Sequence, residues 1–104
     1  MKNAKAVLSV RFKSTFSAEP LIQLFERDLE LFQHVPGLIE KYYIAEEGTG
    51  VTGGIYVFES SAAKAAFLNS ELAKSIPGRY GVIPDTLHIE QLEVTIDLKE
   101  TVAA

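Results

Sequence analysis

The chain contains no cysteine, no tryptophan and a single methionine. Without cysteine there is no disulfide, no thiolate ligand for a metal and no thiol nucleophile. That absence also fits a reducing, cytosolic setting. A basic stripe is missing too. Ten lysines and arginines are interspersed with fourteen acids, for a net charge of −4. Nothing in that pattern neutralises a phosphate backbone, so no nucleic-acid partner is expected. Long hydrophobic runs are lacking. The first apolar run is broken at Arg11 and is too short for the core of a signal peptide. No segment approaches the ~20 apolar residues of a membrane span. The expectation is a soluble, cytoplasmic protein without a membrane partner.

Several common chemistries are absent as well. His34 and His88 are far apart, and the carboxylates around them show no metal-ligand spacing. Glu46 and Glu47 would point to opposite sides of a strand. The run GTGVTGG at 48–54 leads into a strand rather than a helix, and no Gly-Lys-Ser/Thr follows it, so it is not a phosphate loop. No Ser/His/Asp or nucleophile-elbow arrangement occurs. No metal site is expected.

What the chain does have is apolar residues, 47% of 104. That suits one compact domain over residues 1–104 with a real core. The densest apolar stretch is PGLIEKYYIAEEGTGVTGGIYVF, Pro36 to Phe58. Two aromatic-rich strands flank a glycine-punctuated loop, and neither has a purely polar side. A strand apolar on both faces must be covered on both.

Strand one is expected over Lys5 to Phe12, with Leu8, Val10 and Phe12 on one face and Val7, Ser9 and Arg11 on the other. Ser17 can cap a helix, and Leu21, Leu24, Phe25, Leu29 and Phe32 then recur on one stripe. Pro36-Gly37 ends it. Strand two, Leu38 to Glu46, alternates between Leu38, Tyr42 and Ile44 on one face and Ile39, Lys41, Tyr43 and Ala45 on the other. After a loop from Glu47 to Thr52, strand three runs from Gly53 to Glu59. It sets Ile55 and Val57 against Tyr56 and Phe58. Ser60 or Ser61 can cap a second helix running to about Ala73 and stopped by Pro77-Gly78. Thr86 to Ile96 is strand four. Its apolar alternation changes phase near Glu90-Gln91, which predicts a β-bulge or a change of packing partner.

The order β-α-β-β-α-β is that of a ferredoxin-like α+β fold, a four-stranded antiparallel sheet with both helices on one face. The other, apolar face is left open. A patch of that size does not stay in water. A two-fold homodimer through the sheet face, closing a dimeric α+β barrel, resolves it.

The runs PGLIEKYYIAEE, GGIYVFES and AAKAAFLNSELAKSIPG resemble the YdhR-type mono-oxygenase family of the dimeric α+β barrel superfamily, alongside antibiotic-biosynthesis and quinol mono-oxygenases. The resemblance covers roughly Phe12 to Gly81; strand four matches poorly. It implies a homodimer, a pocket between sheet and helices, and oxidation of a phenolic or polycyclic substrate with O2 and no bound cofactor. Tyr43 stands where family members carry tryptophan. The lack of tryptophan argues against haem degradation.

Cofactor-free oxygenation needs a base to form a phenolate, donors for developing charge and an aromatic lining. His88 is a candidate base, since imidazole titrates near neutrality; otherwise it is a partly exposed strand histidine. Lys41 and Tyr43 share a face and are the other candidate catalytic residues, Lys41 lowering a phenol's pKa and Tyr43 orienting it. Alternatively Lys41 is a solvated edge charge. Tyr56, Phe58, Arg11 and Phe67 are expected to bind a small aromatic substrate, or to pack in core and interface. Arg11 can instead pair with a carboxylate such as Glu93. His34, at a helix C-terminus, can simply complement the dipole. Three further readings stay open: a non-catalytic, small-molecule-binding or stress-associated barrel, a cyclase or isomerase on a similar ligand, and a purely structural dimer.

Overall fold

The computed structural model describes residues 3–101. The elements are β1 (Ala6–Lys13), α1 (Ala18–Gln33), β2 (Leu38–Ala45), β3 (Val51–Phe58), α2 (Ser61–Leu68), α3 (Glu71–Arg79), a 3-10 turn (Pro84–Thr86), β4 (His88–Glu93) and a short α4 (Leu98–Thr101). The strands form one antiparallel sheet in the order β2-β3-β1-β4. This is the ferredoxin-like arrangement, with the second helical segment split in two. Among the described residues, no helix is long and apolar enough to cross a membrane.

Alternation along the central strands sends one set of side chains toward the helices. Ala6, Leu8, Val10 and Phe12 of β1 and Tyr56 and Phe58 of β3 are buried there. Leu21, Phe25 and Phe32 of α1, Phe67 of α2, Ile76 of α3, and Tyr80 and Val82 beyond it close over them in one cluster. The α1 stripe differs from the expected one in a telling way. Leu29 is 40% exposed, while the acid beside it, Asp28, is buried. The spacing Leu21, Phe25, Asp28, Phe32 is the stripe that faces the sheet.

Four local expectations are corrected. Ser17 occupies the N-cap of α1, but its side chain makes no capping bond. The second helix does not run unbroken to Pro77. The Ser70 hydroxyl donates to Phe67 O at 2.5 Å and accepts from Ala73 N at 3.1 Å, ending α2 and starting α3 at one residue. Pro77 and Gly78 then sit inside α3. No bulge occurs in β4, whose pairing with β1 runs evenly from Arg11↔His88 to Ala6↔Glu93. Its apparent phase change arises because Ile89 and Leu92 lie on opposite sides of an edge strand and both stay half exposed. The bulge is instead in β2, between Leu38 and Glu40. It moves Leu38 opposite Phe58, onto the helix side with Lys41 and Tyr43 and away from Tyr42 and Ile44.

Glycine is required at two close approaches. Gly37 turns the chain from α1 into β2 at φ 77°, where a Cβ would strike the Ala63 methyl. Gly53 lies so near the Val10 carbonyl of β1 that no side chain fits.

Candidate functional site

Lys41 is the one charged side chain that β2 directs into the helix side of the sheet. It stands opposite Tyr56 of β3. Its stem crosses Gly54, where an added Cβ would lie 3.1 Å from Lys41 Cε, so the missing side chain makes the channel. Nζ ends 3.3 Å from the centroid of the Phe32 ring, 4.1 Å from that of Tyr43 and 4.6 Å from that of Tyr56. Ring faces attract an ammonium ion. Among the described residues, no carboxylate lies within ion-pair distance of Nζ. Burial therefore dominates and lowers the lysine pKa to about 7, against the opposing charge of Asp28. At neutral pH the group is divided between ammonium and free amine.

Tyr43 packs its ring on Phe25 at 4.9 Å, and its hydroxyl is buried without a hydrogen-bond partner. Burial, with the Asp28 charge in support, pushes its phenol up to about 12. It is a neutral donor with nothing to donate to. Such a group is costly in a packed interior, and functional sites are where that cost recurs.

Asp28 anchors the polar side of the site. Arg27 Nε and a terminal guanidinium nitrogen donate to its two oxygens at 2.8 and 2.9 Å. The Tyr80 hydroxyl donates at 3.0 Å, and Arg79 approaches at 3.4 Å. The Arg27 bonds, aided by Tyr80, hold the carboxyl at about 2, although burial opposes them. Burial and then the Asp28 bond raise the Tyr80 phenol well above its ordinary value. Tyr80 also meets Phe25 edge-on at 4.9 Å, so Phe25 separates Tyr80 from Tyr43.

A cleft of about 280 Å³ opens between the C-terminal half of α1 and β2. Leu29, Phe32, Gln33, Leu38, Ile39 and Glu40 line it, and Lys41 and Tyr43 reach into it. Its size falls just short of the roughly 300 Å³ at which small-molecule sites usually begin. Behind those two residues, a void of only about 10 Å³ remains among Val10, Gly54, Tyr56, Ile76 and Tyr80. A separate apolar groove of about 390 Å³ lies between the end of α1 and α2–α3, along Leu31, His34, Val35, Phe67 and Leu72. Among the described residues, no cluster of His, Asp or Glu is placed to hold a metal ion.

The family described as "Putative mono-oxygenase ydhR" matches residues 7–84. The chain belongs to the ydhR family. The matched span holds Asp28, Phe32, Lys41, Tyr43, Tyr56 and Tyr80 and stops short of β4. Comparison with curated proteins gives no match. Among solved structures, the chain is similar to NE2512 of Nitrosomonas europaea, a protein of unknown function, with 21% identity, TM-score 0.71 and coverage of 90% of this chain and 92% of that one. It is similar to SnoaB of Streptomyces nogalater, a cofactor-independent oxygenase, at 14% identity, TM-score 0.64, and 91% and 95% coverage. A monooxygenase from the ActVA-Orf6 gene of Streptomyces coelicolor, in complex with nanaomycin D, gives 17% identity, TM-score 0.65 and 91% coverage of both chains. At these identities the likeness is one of fold.

Within this ydhR-family chain, the structure brings together Lys41, Tyr43 and Tyr56. Phe67 and Phe58 extend the aromatic wall behind them. Phe67 lies 5.0 Å from the Tyr56 ring, and Phe58 stacks on Tyr56 at 6.4 Å but is wholly buried. His88 and Arg11 lie elsewhere. They face each other across β4 and β1 on the far side of the sheet. Arg11 pairs with Glu90 at 2.9 Å and not with Glu93, which registers with Ala6 on the helix side. His88 is mostly exposed, with Nε2 4.0 Å from Glu90. His34 is the C-cap of α1, exposed, 3.9 Å from Glu30 one turn back. Asp28 and Tyr80 were not among the expected site residues. The signal for Asp28 was present, an acid on the buried stripe.

Proposed function

We propose that this protein is a cofactor-independent mono-oxygenase of a small phenolic compound, acting at the Lys41–Tyr43 cleft of a homodimer. The observation that carries the reading is a desolvated lysine amine against the rings of Phe32 and Tyr43, whose hydroxyl is unpartnered, at the end of a cleft. A base serves best when its pKa lies near the working pH. The Lys41 amine takes the phenol proton, leaving phenolate against ammonium. The phenolate passes an electron to O2, and the radical pair joins to form a C–O bond. Tyr43 donates a hydrogen bond to the oxygen on which charge develops. The peroxide takes the proton back from the Lys41 ammonium and loses water, so that a ring C–H carbon becomes C=O and the second oxygen atom leaves as H2O. The substrate supplies every electron.

The homodimer is supported by the outward sheet face. It carries Val7, Ile55, Val57, Tyr42 and Leu92, with Tyr42 56% and Leu92 49% exposed. A second reading, ligand binding without catalysis, is favoured by the small void behind Lys41 and Tyr43 and the openness of the cleft, because oxygenation asks for exclusion of water. One experiment separates them. Oxygen uptake is followed with a panel of hydroquinones and anthrones, for wild type and Lys41→Met. Saturable uptake that falls by about a hundredfold or more in the variant supports catalysis. Binding of a panel member with no uptake above the spontaneous rate supports the second reading and sinks the first.

A further inference from the structure

Lys41 has a property that proton abstraction alone does not use. Its cage attracts only the charged form, because ring faces hold cations and not amines. Loss of the proton therefore releases Nζ from the Phe32 ring, and no carboxylate holds it back. The stem is flexible and runs over the bare backbone of Gly54. The cleft is the open space into which the released amine can turn. Tyr43 lines that cleft, and its buried hydroxyl is a proton donor without a partner. A nucleophilic amine, a donor and an aromatic-lined space are the parts needed to condense an amine with a carbonyl.

We propose that Lys41 captures single-ring aromatic aldehydes or ketones in the cleft as an imine, with Tyr43 as the proton donor. The nitrogen lone pair attacks the carbonyl carbon, and the C=O pair moves to oxygen, which takes the Tyr43 proton. The resulting ammonium returns a proton to Tyr43. The carbinolamine hydroxyl then takes the Tyr43 proton and leaves as water while the nitrogen lone pair forms the C=N bond, and the iminium returns a proton to the Tyr43 phenolate. No oxidant or reductant is consumed, so this activity stands or falls independently of the oxygenase reading. The ligand class follows from the lining. Phe32 and Tyr43 present rings, Leu29, Leu38 and Ile39 present aliphatic edges, and Gln33 and Glu40 add polar groups that suit the ring's polar substituents.

The groups that set the pH response come from each packed element. They are Asp28 with Arg27 on α1, Glu40 and Tyr43 on β2, Tyr56 on β3, and Arg79 and Tyr80 at the end of α3. Relative to an ordinary lysine, the free-amine fraction at pH 7 is greater by roughly a thousandfold. Capture should rise through pH 7 and level off above it.

The test is reductive trapping. The full chain is incubated anaerobically with benzaldehyde and sodium cyanoborohydride at pH 7, and benzylation of each lysine is timed by peptide mass mapping. The six other lysines serve as controls in the same molecule. Exposure alone makes half-buried Lys41 slower than Lys5, Lys13, Lys74 and Lys99, which are exposed. The proposal expects the reverse, Lys41 faster than each of these by about tenfold or more. Labelling that follows exposure overturns it. Tyr43→Phe should slow Lys41 by about tenfold while leaving the other lysines unchanged; an unchanged Lys41 rate removes the donor role.

Discussion

Asp28 shows how much a single residue arranges here. A buried carboxylate is tolerable only if its lone pairs are met, and Arg27, Tyr80 and Arg79 meet them. Its folded pKa is about 2, below the ordinary 3.8. The unfolded chain thus binds the proton more readily between those values. The stabilisation is complete above pH 4 and is lost as pH falls toward 2. Asp28→Asn should cost about 2 kcal/mol at pH 7 and close to nothing at pH 2, measured by denaturant unfolding at a series of pH values. The same substitution removes the charge that partly sustains the Lys41 ammonium, so the lysine should titrate still lower. Asp28 was legible, because it falls seven residues after Leu21 and four before Phe32 on the buried stripe. The unpartnered Tyr43 hydroxyl was not legible. Its state depends on which groups α1 and α3 fail to bring near it, and no local pattern records that.

At the scale of elements, the hairpin β2–β3 carries the site, and alternation alone showed that Lys41 shares a face with Tyr43 and Tyr56 with Phe58. Which face met the helices was fixed only by packing. One break in regularity had a weak signal in the sequence. Ser70 divides the second helix through hydrogen bonds to both neighbours, where proline and glycine looked like the stronger stops. Pro77 is tolerated inside α3, and Gly78 meets nothing that a Cβ would disturb. Gly54, by contrast, is the gap through which the Lys41 stem passes. Gly54→Ala sets a methyl 3.1 Å from Lys41 Cε and 3.2 Å from Tyr56 Cε1. The expected cost is about 1–3 kcal/mol in stability from overpacking. Displacing the lysine should also lower oxygen uptake by about tenfold or more in a fold that circular dichroism shows intact.

The whole molecule is one helical layer on one sheet, and its radius of gyration, 14.5 Å, exceeds the ~13 Å of an average domain this long. A second sheet against the bare face would restore a two-sided core. Arg11, Glu90 and His88 lie on that face among apolar neighbours. Val57 sits on it in the middle strand β3. Light scattering at micromolar concentration should give a dimer for wild type and a monomer for Val57→Lys, whose introduced charge would be buried twice in a two-fold contact. A monomeric wild type would remove the dimer from the proposal.

The β2 bulge bears on how the chain tolerates changes in length. The pairing of β2 with β3 is set from the hairpin turn, so Ile39 is the surplus residue. Deleting it would leave Leu38 opposite Phe58 and Glu40 opposite Val57, with Lys41 and Tyr42 still on their own sides. Ile39 lines the cleft, so such a deletion would reshape only the rim. One residue gained or lost between Tyr42 and Ala45 would do the opposite. It would turn Lys41 to the far face of the sheet and bring Tyr42 in. The bulge is thus a slack link, at which the size of the opening can change by a codon while the phase of the strand is kept.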